Sequence, residues 1–225
     1  MSKENVFFEA SYAEPIYRHA EVRRLKRIQA FKLGFDRLVV LLLFPVICAA
    51  LLLIALLVKV DSKGPIIFRQ KRHGLEGTVF WVSKFRTMHV AQNDPSGAQQ
   101  TTAQDKRVTR MGRILRRTCL DELPQVWDVF RGQMSLVGPR PHPVGMVIEG
   151  KKMDALYPDY ANRLRLRPGM TGLSQVNGNR GPVHDIEFGR QRLDFDRKYI
   201  ENWSLWLDIK ILVQTIVLPF KRGSY

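Results

Sequence analysis

The chain predicts an α+β fold, mostly helical with one small β-hairpin. A hydrophobic segment that enters a membrane and returns, together with interfacial amphipathic helices, would hold it at the bilayer. Three observations carry this expectation. Leu38 to Val58 is a run of 21 residues without a charge, close to the ~20 residues that cross a bilayer. Basic residues flank that run on both sides, and Pro45 lies in its first half. Two strand-like runs, 66–72 and 78–86, are joined by Gly74-Leu-Glu-Gly77, while apolar residues elsewhere recur mostly at helical spacing.

At 225 residues and 45% hydrophobic content the chain is long and apolar enough for a real core, which excludes wholesale disorder. A formal net charge of +15 calls for an anionic partner. Nucleic acid, an anionic phospholipid membrane and phosphorylated substrates all qualify, and charge alone does not choose among them. The two cysteines, Cys48 and Cys119, are far apart in the chain. A reducing compartment and no disulfide are expected.

Residues 1–17 are polar with scattered aromatics and read as a tail. Next, Arg18, Arg23, Arg24, Lys26, Arg27, Lys32 and Arg37 stand against only Glu21 and Asp36. This suits a basic amphipathic helix on an anionic surface, and equally a solvated helix face. In the apolar run, Pro45 removes a helical hydrogen bond and bends the axis. The positive-inside rule asks for both basic flanks on the cytoplasmic side. A helix that enters, breaks at Pro45 and returns satisfies both demands, with a single span as the alternative. The chain then divides into a tail and basic interfacial helix (1–32), a re-entrant membrane helix (33–60) and a cytosolic-face catalytic domain with a C-terminal interfacial helix (61–225).

In the second strand Phe80, Val82, Lys84 and Arg86 share one face by period-two alternation, so Lys84 and Arg86 are expected to project together. Residues 90–104 are polar, with Asp94-Pro95-Ser96-Gly97, and read as a lid. Lys106, Arg107, Arg110, Arg113, Arg116 and Arg117 form a basic helix whose apolar stripe is Met111, Ile114 and Leu115. Arg163-Leu-Arg-Leu-Arg167 alternates as a strand, and Pro168-Gly169 reads as a turn. The glycine-rich stretch from Gly172 to Arg180 suits a nucleotide or sugar as well as a plain surface loop. Residues 191–199 read as a charged helix. Trp203 to Leu218 is amphipathic to apolar, and its tryptophans suit a membrane–water boundary.

Chemistry concentrates in residues 116–142. Asp121 and Glu122 follow the arginine cluster and open a segment where Leu120, Leu123, Val126/Trp127 and Phe130 recur as helical core positions do. Pro124 is tolerated in a first turn. Val137-Gly-Pro-Arg-Pro141 then makes a stiff loop that presents Arg140 between Pro139 and Pro141. A carboxylate pair among fixed cations suits phosphate chemistry with a divalent ion. Asp121 reads equally well as a helix N-cap. Glu122 beside it favours catalysis, since one carboxylate is enough to cap. No Walker loop, dinucleotide glycine fingerprint or zinc spacing occurs, and the five histidines are scattered. Asp194-Phe-Asp196 matches the D-x-D string of nucleotide-sugar glycosyltransferases, but three letters carry little weight.

In order along the chain, Lys84-Phe-Arg-Thr-Met88, Leu120-Asp-Glu-Leu-Pro-Gln125, Met134-Ser-Leu-Val-Gly-Pro-Arg-Pro141, Arg167-Pro-Gly-Met-Thr-Gly-Leu-Ser-Gln-Val-Asn-Gly178, Asp196-Arg-Lys-Tyr199 and Asn202-Trp-Ser-Leu-Trp-Leu-Asp-Ile-Lys210 form one constellation. It resembles the bacterial sugar transferases that move a sugar-1-phosphate onto a polyprenyl phosphate, the small monotopic phosphoglycosyl transferases. The resemblance spans about residues 33–220. It implies a re-entrant membrane helix, although the family's usual Ser-Pro break is Phe44-Pro45 here. It implies Asp121 as the nucleophile that attacks the β-phosphorus of a UDP-sugar, expelling UMP. Undecaprenyl phosphate would then take the sugar-phosphoryl group from the aspartate. Glu122, with Asp121 beside it, would hold Mg²⁺. Lys84, Arg116 and Arg140 would contact phosphates, with Arg86 expected beside Lys84 on the strand face. Asp196 would be a required acid of open role, so the D-x-D string loses its own meaning. The implied place is the cytoplasmic face of the bacterial inner membrane, and the implied product is a lipid-linked hexose for exopolysaccharide or O-antigen. Nucleic acid is not implied as a partner, and a homodimer is left open.

Overall fold

The computed structural model describes residues 19–90, 105–183 and 185–217. The tail (1–17), Arg18, nearly all of the 90–104 lid and residues 218–225 lie outside them. The fold starts with helix α1, His19–Asp61, 43 residues long. At ~1.5 Å rise per residue that is roughly 65 Å of helix. Leu25 and Ile28 of α1 join a cluster with Tyr199, Ile200 and Ile211. Val40 joins Phe80, Val82 and Val129, and Ile54 and Val58 join Phe85 and Leu115. Polar contacts set the register as well. Lys32 Nζ lies 2.5 Å from Asp208 Oδ2, and Ser135 Oγ donates to Asp36 Oδ2 at 2.6 Å.

Between these docking points α1 stands clear of the body. Leu41 to Val46 are all exposed, and six consecutive residues cover more than a full turn, so no side of the helix is packed there. Leu42 and Val46 are each 71% exposed. By length and composition α1 is apolar enough to cross a membrane. The expected break at Pro45 is not an interruption, because α1 runs as one helix through that proline. A proline removes a single i→i−4 bond, and the turns on either side of it carry the helix past.

The hairpin forms as expected. Strands β1 (Ile67–His73) and β2 (Val79–Phe85) pair antiparallel, from Ile67 opposite Phe85 to His73 opposite Val79. A basic helix follows, α2 (Arg110–Thr118), capped by the Thr109 side chain on Gly112 N. The next segment is not one helix. A 3₁₀ turn spans Leu120–Gln125 and α3 spans Val126–Phe130. Of the residues expected as core, Val126 is buried but Leu120, Trp127 and Phe130 are exposed. A 3₁₀ turn has about 3.0 residues per turn, so it rotates the expected stripe away from the interior. Trp127 and Phe130 stack on each other at 5.6 Å and lie on the surface.

The alternating arginine segment is not a strand either. Tyr160–Arg165 is a 3₁₀ turn, and Arg163 is buried by the ion pair its charge demands. Pro168-Gly169 is not a turn. Gly169 opens strand β6 (Gly169–Thr171), which pairs parallel with β3 (Ser135–Val137). Glycine is required at this pairing: a Cβ on Gly169 would lie 2.1 Å from Gly138 N. Between them lie a two-residue pair, β4 (Val147–Ile148) with β5 (Lys151–Lys152), and α4 (Met153–Leu156). After β6 come α5 (Leu173–Val176), α6 (Ile186–Glu201) and α7 (Leu205–Val217). Helix α7 packs through Asp208 and Ile211 and exposes Trp206, Val213, Ile216 and Val217. Cys48 and Cys119 are both free thiols.

Candidate active site

Folding gathers charge that is scattered in the chain. A pocket of about 280 Å³ is lined by Arg72, Lys84, Arg107, Arg116, Arg140, Arg180 and Arg192, with Asp121 and Glu122 as its only carboxylates among the described residues. The dyad is placed by a sharp change of direction. Helix α2 ends at Cys119, whose φ of 59° is left-handed, and the chain turns there into Leu120–Gln125. A non-glycine residue in that region is strained, and such strain clusters at functional sites. The N-cap reading of Asp121, one of the two the sequence allows, is not met: Cys119 holds the cap position, and Asp121 falls in the first turn.

The two carboxylates have different surroundings. Glu122 is held from both sides. Lys84 Nζ donates to its Oε1 at 2.6 Å, and Arg140 forks onto Oε2 at 3.0 Å and Oε1 at 2.5 Å. Burial alone would raise the Glu122 pKa, but Arg140 and Lys84 outweigh it and hold the carboxyl well below its usual range. Asp121 has no hydrogen bond or ion pair among the described residues. Burial in the pocket, aided by the charge on Glu122, pushes its pKa up to about 6 against the pull of Lys84. One acid is therefore an anchored anion and its neighbour a free carboxylate facing the pocket.

The loop carrying Arg140 is stiff for a definable reason. Proline has no N–H, so its backbone can be tied down only through carbonyls. Four consecutive carbonyls are tied: Pro139 O accepts from Gly169 N at 2.9 Å, Arg140 O from Arg163, Pro141 O from Arg72, and His142 O from His73 N at 3.1 Å. Pro139 and Pro141 thus hold the loop in shape, and Pro141 also lines the pocket. Asp196 does not reach the pocket. It is 2% exposed and pairs with Arg163, Nε to Oδ2 at 2.9 Å. Through Arg163 it fixes the carbonyl of Arg140, so its effect on the site is indirect. Asp194 pairs with Arg197 at the surface, and the D-x-D string holds no common site.

Arg86 is a correction. Its guanidinium points away from Lys84, donating to the carbonyls of Val58 (3.0 Å), Ser62 and Pro65 and to Ser62 Oγ. The strand ends at Phe85, so period-two alternation no longer governs the next residue. Arg86 closes the C-terminal end of α1, where orphan carbonyls need donors. Arg116 lines the pocket, its Nε donating to Thr87 Oγ1 at 2.8 Å. Arg107 comes from the expected basic run and Arg180 from the end of the glycine-rich stretch that suits a nucleotide or sugar, whereas Arg72 and Arg192 join the pocket without any local signal.

Two buried histidines also meet near this loop. His73 and His142 flank the Tyr160 ring at 6.0 and 5.9 Å. Burial lowers the His73 pKa to about 4 and the His142 pKa well below its usual value, which favours the neutral rings, and His142 also lines the pocket. No group of three or more His, Cys, Asp or Glu side chains among the described residues is arranged to hold a metal.

Residues 27–222 match the description "Bacterial sugar transferase". A UDP-glucose:undecaprenyl-phosphate glucose-1-phosphate transferase of Caulobacter vibrioides is 50% identical over 74% of this chain and 61% of that protein. A protein of the same name from Escherichia coli is 45% identical over 90% of this chain and 42% of its own length. The exopolysaccharide production protein PSS of Rhizobium leguminosarum bv. phaseoli is 44% identical over 86% of this chain and 96% of that protein. This chain thus spans less than two thirds of the first two relatives' length. Its match over nearly all of the Rhizobium protein and the ordered site segments leave one conclusion: the chain belongs to the bacterial sugar transferase family.

Proposed function

We propose that this protein transfers a hexose-1-phosphate from a UDP-sugar to undecaprenyl phosphate through a covalent aspartyl intermediate. The observation that carries the reading is the division of the dyad. Asp121 is unbonded and faces a cationic pocket, while Glu122 is locked between Lys84 and Arg140. Asp121 attacks the sugar-bearing phosphorus, the bond to the bridging oxygen breaks, and UMP leaves. An oxygen of the prenyl phosphate then attacks the sugar-phosphoryl aspartate and returns Asp121 as a free carboxylate. The lining cations offset the diphosphate charge, and their fixed positions supply most of what phosphoryl transfer needs from a protein.

Two adjacent carboxylates are a sparse donor set for Mg²⁺. Such an ion is commonly held by one or two carboxylates, with substrate phosphates and water completing the shell. The residues fit on those terms. Asp121 is unbonded, and Glu122 Oε2 keeps a lone pair beside its one cation contact, whereas Oε1 already accepts from both Lys84 and Arg140. When bound, the ion would neutralise the diphosphate and steady the leaving group.

The bare apolar stretch of α1 would sit in the cytoplasmic leaflet of the inner membrane, with both docked flanks on the cytoplasmic side. That placement suits a substrate whose prenyl tail stays in the lipid. The names of the relatives favour UDP-glucose as donor. The deciding experiment is a panel of UDP-sugars incubated with undecaprenyl phosphate, with identification of the released nucleotide. UMP is expected, and UDP-sugar alone should label the wild type covalently but not Asp121→Asn. Release of UDP would mean transfer of the sugar without its phosphate and would overturn the reading.

A further inference from the structure

The pocket cations differ in how far their donors are already committed. Lys84 and Arg140 hold Glu122. Arg107 holds Asp105 at 2.6 Å, and Arg72 donates to Gln70 Oε1 at 2.7 Å and to Pro141 O. Arg192 donates to Asn179 Oδ1 at 2.9 Å and to Gly181 O at 3.2 Å, and Arg116 gives Nε to Thr87. Arg180 is different. It lines the same pocket, and its guanidinium makes no hydrogen bond or ion pair among the described residues.

The backbone beneath it is the opposite of loose. Gly178 and Gly181 bracket the turn with φ of +89° and +80°, conformations glycine adopts without strain. Asn179 is 3% exposed and tied at every polar point. Its N–H donates to Ser174 O at 2.9 Å, its Nδ2 donates to Phe188 O at 2.9 Å, and its Oδ1 accepts from Arg192. Arg192 therefore holds the residues on both sides of Arg180. One turn further along α6, Asp196 holds Arg163, which holds the carbonyl of Arg140. A single buried turn of α6 thus anchors the loops that carry two pocket arginines. A free guanidinium on a fixed backbone is what pre-organised anion binding requires.

We propose that Arg180 binds a phosphate of an incoming substrate alongside Arg140, and that Arg192 positions it by holding both of its neighbours. The assignment rests on the phosphosugar-transfer reading above. The phosphate has two sources, the donor diphosphate and the prenyl phosphate, and the two half-reactions separate them. In single-turnover assays with UDP-glucose alone, Arg180→Gln should slow UMP release about 10- to 100-fold in kcat/KM if the donor is held, the usual range for one lost charge-assisted hydrogen bond. Arg180→Lys should recover part of that loss. If UMP release is normal and the KM for undecaprenyl phosphate rises instead, the acceptor phosphate is the one bound. A change below about twofold in both arms overturns the assignment. For Arg192, Arg192→Lys should cost several-fold in the wild-type background and much less beside Arg180→Gln. Equal costs in both backgrounds would refute the positioning role. Wild-type protein that releases no UMP would instead sink the functional reading, and calorimetric binding of UDP to wild type and Arg180→Gln would then decide the phosphate assignment alone.

Discussion

Asp121 and Glu122 are neighbours in the chain but differ in what holds them. The physical consequence is a pH dependence of defined sign. Burial raises the Asp121 pKa to about 6, and the negative charge of Glu122 adds to that rise. Attack on phosphorus requires the ionised form, so protonation removes the nucleophile. The kcat/KM for UMP release should therefore fall about tenfold per pH unit below roughly pH 6 and level off above it. Replacing Glu122 with Gln deletes one charge that raises the pKa and frees Lys84 and Arg140, which lower it. The acid limb of the Glu122→Gln variant should move to lower pH, whatever its overall rate. A limb that stays in place would mean that Glu122 does not set the Asp121 titration. Local sequence left cap and catalysis level for Asp121, because both demand an exposed carboxylate at the start of a turn. The left-handed Cys119 just before it takes the cap position and leaves the aspartate free.

At the scale of elements, the junction between α1 and β2 depends on one side chain. Arg86 is 2% exposed and satisfies one backbone carbonyl in the last turn of α1, Val58, and two in the connection after it, Ser62 and Pro65. A lysine carries one compact ammonium and cannot reproduce the planar fork. Arg86→Lys should lower stability by roughly 2–4 kcal/mol, read as an earlier thermal unfolding transition in detergent. The KM for UDP-glucose in the folded fraction should stay within about twofold, whereas a phosphate-binding role would raise it. The hairpin, the basic helix and the charged helix α6 were legible in the sequence because their periodicities are local. The 3₁₀ turns at Leu120–Gln125 and Tyr160–Arg165 were not, since the first reads as helical spacing and the second as strand alternation, and five or six residues fit either of these or a turn until the partners are known. For Arg163 the partner that decides is Asp196, 33 residues further on.

Across the whole molecule, the apolar run is one part of a helix whose two ends dock on the same body. Val40 and Ile54 belong to clusters that contain Val82 and Phe85, three residues apart on β2. If the bare stretch between them enters a bilayer, both flanks stay on one side. Lys32 is buried against Asp208 and cannot report on this, so Lys26 and Lys63, both exposed, are the useful positions. With Cys48 and Cys119 replaced, Lys26→Cys and Lys63→Cys should both react with an impermeant maleimide in inverted inner-membrane vesicles. Neither should react in right-side-out vesicles. Opposite accessibility of the two would identify a span and refute the re-entrant reading.

The linear pattern was enough for the hairpin, the longer helices, the apolar segment and the basic character, because all of these depend on composition and short-range spacing. Tertiary structure alone decided which cations meet the dyad. It also decided which carboxylate is locked and which is free, and that Arg86 ties backbone carbonyls while Asp196 pairs with Arg163, neither of them lining the pocket. The reason is physical: a charge takes its role from whatever folding brings within a few ångströms, and for Arg140, Arg163 and Arg192 those partners lie in other segments of the chain.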